Sequence, residues 1–199
     1  MGTRHLICVV NNGEYKVAQY GQWDGQPSGQ GVDILDFLRN DMDRAKFENQ
    51  IEALTFATEE EQKQTWVEIG VEPNTIISVE VANKYKELYP EHSVDNGSGI
   101  LRLIQNSDRE LKLRNSIDFA NDSLSCRWGY VIDLDKNYFE VYEGVNKTPL
   151  DERERFYTIQ EKLKPIDILD TTYYPVKYVV GFDLDKLPTE EEFLDNFQE

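Results

Sequence analysis

The stretch that decides the fold is residues 6–20, LICVVNNGEYKVAQY. Leu6 to Val10 and Tyr15 to Tyr20 are apolar, β-rich runs separated by Asn11-Asn12-Gly13-Glu14. Asn-Gly between two such runs is a strong hairpin signal, because both residues accept the positive φ that a tight two-residue turn demands. A second hairpin reads out of the C-terminal third. There Trp128 to Leu134 and Tyr138 to Tyr142 flank Asp135-Lys136-Asn137. Its alternation of Tyr130 and Ile132 against Val131 and Asp133 suits a sheet with one buried face. Val176 to Leu184 reads as a further strand and Ser116 to Ala120 as a short one.

Between the hairpins the period changes from two to that of a helix. A helix follows Gly31 with Ile34, Leu35, Phe37 and Leu38 on one side, and Asp43 to Leu54 carries Phe47, Ile51 and Leu54 at helical spacing. Thr58 with Glu61, and Thr189 with Glu192, have the spacing of capping boxes. Ser78 is placed to cap a helix that ends before Pro90, and Asn96-Gly97-Ser98-Gly99 precedes a shorter one over Ile100 to Gln105. Residues 144–165, rich in charge and bounded by Pro149 and Pro165, read as a mobile excursion. Hairpins build antiparallel ladders, so the expectation is a single α+β domain over residues 1–199. Its sheet should be mostly antiparallel, made of the two hairpins and the 176–184 strand, with the 32–105 helices packed on it.

Composition narrows the class. With 199 residues, 39% apolar, 30% charged and 12% aromatic, the chain can bury one substantial core. Cys8 and Cys126 lie far apart, and His5 and His92 are the only histidines, so neither a disulfide framework nor a metal site is expected. No cofactor motif stands out, and the default location is a reducing cytoplasm. The net charge of −17 disfavours direct binding to nucleic acid or anionic lipid. No segment approaches the ~20 apolar residues of a membrane span.

The richest stretch for a site is residues 21–31, with glycines at 21, 25, 29 and 31 around Gln22, Trp23 and Asp24. Glycines let backbone amides approach a ligand, and the stretch feeds a helix N-terminus that favours anions. Trp23 could stack on a planar group. The plain alternative is a strand-to-helix connection built from Asp-Gly and Pro-Ser-Gly turns. Elsewhere, His5 beside Arg4 reads as a strand-end histidine, and Cys8 as a small buried hydrophobe. Cys126 beside Arg127 offers a thiol next to a cation, and Asp133 with Asp135 a weak metal pair at a turn.

Two resemblances cover these residues. Thr3 running straight into a hairpin, followed by Gln19-Tyr20-Gly21-Gln22-Trp23-Asp24, resembles the layout of the N-terminal-nucleophile hydrolases, and Gly2-Thr3 is similar to the junction at which proteasome-type precursors are cut. The resemblance implies an amide hydrolase with Thr3 as nucleophile and Asp24 as orienting group. Gly2 stands where the choloylglycine-hydrolase-like branch carries cysteine. The opening Met1-Gly2-Thr3-Arg4, with Ala18 to Gly25 and Pro27 to Gly31, also resembles a family of uncharacterised small proteins. That likeness extends to the 128–144 hairpin and the 183–193 ending, and it brings no activity with it.

Two functions of different kind follow as expectations. One is a small-ligand-binding domain with Arg4, Gln19, Gln22, Trp23, Gly29 and Gly31 at the site, taking a small polar or anionic ligand and, with Thr3 and Asp24, hydrolysing an amide. In it Arg4 would hold a carboxylate. The other is a non-catalytic acidic protein, such as an inhibitor, that covers a basic surface on a partner macromolecule. A single acidic face would favour the second, and dispersed charge with a concave pocket at Trp23 the first.

Overall fold

The computed structural model describes residues 2–71 and 77–198; Met1 of the opening quoted above lies outside them, as does Glu199. The strands are β1 (His5–Asn11), β2 (Glu14–Gly21), β3 (Thr55–Phe56), β4 (Lys112–Leu113), β5 (Trp128–Asp133), β6 (Tyr138–Glu143), β7 (Ile166–Ile168), β8 (Thr171–Tyr173) and β9 (Lys177–Asp183). The α-helices are α1 (Val32–Asp36), α2 (Arg44–Ala53), α3 (Glu59–Glu68), α4 (Val79–Leu88), α5 (Gly99–Gln105), α6 (Tyr157–Leu163) and α7 (Glu190–Leu194). The class is α+β. No helix among the described residues is long and apolar enough to cross a membrane.

The principal sheet has five strands in the order β2-β1-β5-β6-β9. Both hairpins form. Asn12 and Gly13 turn the first with φ of 54° and 73°. The expectation of a mostly antiparallel sheet holds only in part, because β1 and β5 pair in parallel, His5 opposite Trp128 and Val10 opposite Asp133. The two hairpins are thus laid side by side in the same direction, and the sheet is mixed. Their turns meet at one edge, where the Asn12 and Gly13 N–H groups both donate to the Asp135 carboxylate at 2.8 Å.

Each face of the sheet covers its own apolar cluster. Ile7, Val9, Tyr130, Ile132, Phe139 and Val141 pack against Ile34, Phe37, Phe47, Ile51 and Ile100 of the helical half, with Phe193 of α7. Leu6, Cys8, Val131 and Tyr142 pack against Ala120, Leu150, Phe156 and Ile159. The segment that reads as an excursion is therefore docked. Phe156 is buried, and the neighbouring Arg155 is drawn in with it.

Local signals held where a cap closed them. Thr58 with Glu61 and Thr189 with Glu192 form reciprocal capping boxes, and Ser78 accepts from the Val81 N–H. Ser116 to Ala120 is not a strand. Asn115 Oδ1 accepts from the Ile117 N–H, which bends residues 117–121 into a 3-10 turn after Ser116 has bonded Ala18. Residues 27–31 are likewise the wide first turn of the helix leading into α1, so only residues 22–26 remain loop.

Candidate functional site

The loop after β2 is held from three sides. The Gly25 N–H donates to the Thr3 carbonyl at 2.9 Å, and the Tyr130 hydroxyl donates to the Gly25 carbonyl at 2.7 Å. Gln30 Oε1 accepts from the Ser98 N–H at 2.6 Å, and Gln19 Nε2 donates to the Ser93 carbonyl at 3.0 Å. Trp23, half exposed, donates from its indole to Asp95 at 3.3 Å, and Gln22 donates its backbone N–H to Val94 at 3.4 Å. Much of the polar character concentrated around this stretch is thus spent on docking the segment 93–98. Gly29 and Gly31 have packing reasons too. A Cβ at Gly29 would lie 2.3 Å from the Asp24 carbonyl oxygen, and one at Gly31 would press on Phe193 and Tyr130.

His5, at the start of β1, is buried under this loop with neither ring nitrogen hydrogen-bonded. Glycines make room for the imidazole, since a Cβ at Gly21 would come within 2.2 Å of it and one at Gly25 within 2.8 Å of its own Cβ. Burial pulls the imidazole down from an ordinary 6.5 to about 4, and the nearby Thr3 backbone and Asp24 charge oppose this only in part. The ring is neutral at physiological pH. It is a buried group, where the sequence suggests an exposed strand-end histidine.

The two thiols are closed to chemistry by the same physics. Cys8 and Cys126 are buried, and desolvation raises both thiols above their ordinary range. The cation beside Cys126 therefore does not activate it: Arg127 points to the surface while the thiol faces the core. Asp133 and Asp135 do not converge either. Asp133 binds Arg155, and Asp135 binds the turn of the first hairpin.

What the structure does bring together is Thr3, Arg4 and Arg127. They share a cavity of about 370 Å³ with Gln26, Ser125 and Trp128 at the N-terminal ends of β1 and β5. The parallel register sets the geometry: the Arg127 N–H donates to the Arg4 carbonyl at 3.0 Å, so the two guanidinium stems leave neighbouring strands side by side. Ser125 is fixed by its backbone, whose N–H donates to the Asp122 carbonyl at 3.0 Å, and Trp128 is braced edge-on by Phe197 at 5.6 Å.

Of the predicted site residues, Thr3 and Arg4 line this cavity; Gln19, Gln22, Trp23, Asp24, Gly29 and Gly31 do not. Arg127, Ser125 and Gln26 were missed as members. The signal was a register between segments more than a hundred residues apart, which no local pattern carries. Compared with protein-family models, curated proteins and solved structures, the chain matches none of them.

Proposed function

We propose that this chain is a small-ligand-binding domain whose ligand is a compact anion held between Arg4 and Arg127. One observation carries the reading. The chain has nine arginines, and seven of them have a hydrogen-bonded or ion-paired side chain among the described residues. The two without such a partner are Arg4 and Arg127, which stand next to each other. Like charges across neighbouring strands repel. In a chain with 38 acidic side chains, a carboxylate to relieve that repulsion would be easy to supply. An exogenous anion relieves it instead. Two planar guanidinium forks suit a carboxylate or phosphate, with Thr3, Ser125 and Gln26 near enough to donate neutral hydrogen bonds.

Amide hydrolysis at this cavity would use the Thr3 hydroxyl, but the Asp24 proposed to orient it lies outside the lining. The arrangement therefore supports binding ahead of turnover. Calorimetric titration with small carboxylates and with inorganic phosphate tests the reading. Saturable binding that Arg4→Gln and Arg127→Gln each weaken by about tenfold, the worth of one charge-assisted hydrogen bond, is the expected result. Equal affinity in wild type and both variants would remove the site. Salt-sensitive capture of a basic macromolecule that ignores both substitutions would favour the acidic interaction protein.

A further inference from the structure

A second cavity, of about 610 Å³, shares no lining residue with the first. Its floor is a buried ion network. Arg155 Nε donates to Glu140 at 2.6 Å and to the Tyr142 hydroxyl at 3.2 Å, and Arg155 Nη2 donates to Asp133. The Tyr142 hydroxyl in turn donates to Glu140 at 2.7 Å. Asp133 is 1% exposed and Glu140 8%. Such a network needs every member satisfied, and two of the three guanidinium nitrogens do that. Nη1, the third, makes no hydrogen bond within 3.5 Å among the described residues, the Tyr15 hydroxyl is its polar neighbour, and both side chains line the cavity.

The wall has an unusual charge. It carries the cations Lys136, Arg153, Arg155 and Lys177 against the acids Glu140 and Glu154. Asp133 beneath Arg155 and Asp151 paired with Arg153 bring the acids to four as well, so cations and acids balance here in a chain with 21 basic and 38 acidic side chains. Lys177 forms no ion pair among the described residues, and Lys136 reaches Asp133 only at 4.0 Å. The apolar part of the wall is aromatic: Tyr15, Tyr142 and the exposed Tyr178, whose ring stands edge-on to Tyr142 at 5.8 Å.

We infer that this cavity binds a planar ring carrying a phosphate, of mononucleotide size. The Lys177 ammonium, with Arg155 Nη1 beside it on the wall, supplies phosphate donors, and the tyrosines supply a stacking wall. The volume falls in the range of sites that enclose such ligands. The overall charge of the chain disfavours a polyanion, yet a mononucleotide brings only about two charges to a patch where cations match acids and Lys177 has no ion-pair partner among the described residues.

The test uses the full chain, AMP, GMP and UMP as probes, and adenosine and inorganic phosphate as their halves. The variants are Lys177→Gln and Tyr178→Ala, both outside the buried network, with folding checked by circular dichroism. Saturable binding of a mononucleotide is expected, stronger than that of either half and weakened by about tenfold in each variant. The inference is overturned if none of the three nucleotides binds the wild type. It is equally overturned if phosphate alone binds as tightly as the nucleotides, or if neither substitution changes the affinity.

Discussion

His5 lies opposite Gly21 in the β1–β2 ladder, and its imidazole occupies the space that any side chain at Gly21 would need. A Cβ there would sit 2.2 Å from ring atoms Cε1 and Nε2. Gly21→Ala must therefore displace a ring that is itself enclosed. Overpacking of this kind costs about 1–3 kcal/mol. Urea unfolding should show a loss of that size, and a His5→Ala, Gly21→Ala double variant should lose less than the two single losses summed. Additive losses would mean that the ring and the glycine do not constrain each other.

The same histidine sets a pH dependence. Its folded value of about 4 lies below the ordinary 6.5, so between those values the unfolded chain binds a proton that the folded chain refuses. The stability is complete above about pH 6.5 and drains away as pH falls towards 4. With ~1.4 kcal/mol for each pH unit, the full loss is on the order of 3 kcal/mol. His92 is lowered by burial as well and acts with the same sign, so wild type must be compared with His5→Leu. Unfolding free energies at pH 7.5 and 4.5 should differ less in the variant. Equal slopes would show that His5 titrates normally.

How much of this was legible in the sequence follows from the range of each interaction. The Asn12-Gly13 turn and the Thr58 and Thr189 caps close over a few residues, so residue type and spacing suffice. The parallel pairing of β1 with β5 has no local signature, and with it went the adjacency of Arg4 and Arg127. Arg155 sits in Asp151-Glu152-Arg153-Glu154-Arg155, a charge-rich run inside the stretch that reads as a mobile excursion; burial of the adjoining Phe156 is what turns the segment inward. Residues 21–31 misled in the opposite sense. Their polarity is real, but much of it is spent within the chain on the 93–98 segment.

Tyr130 reports on that loop. Its ring is in the core and its hydroxyl holds the Gly25 carbonyl at 2.7 Å. Tyr130→Phe keeps the packing and leaves a buried carbonyl without its donor, a loss of about 1–3 kcal/mol. Hydrogen exchange of the amides in residues 22–26 should accelerate more than exchange in β5 itself. A uniform change across the molecule would place the effect in global stability and not in the loop.

The arginines separate structure from function most sharply. Arg155→Met leaves Asp133 and Glu140 buried without their cation, and breaking a buried pair in this way costs about 3–5 kcal/mol. Arg127→Gln leaves no carboxylate behind and removes a repulsion from Arg4, so stability should stay within about 0.5 kcal/mol of wild type or rise slightly. The rise should be larger at low ionic strength, where exposed like charges feel each other most. Urea midpoints at low and high salt for both variants decide the matter. A loss above about 1 kcal/mol in Arg127→Gln would reveal a structural partner for that guanidinium. The premise of an anion site at the ends of β1 and β5 would then fall, because a cation already answered within the fold has no need of a ligand.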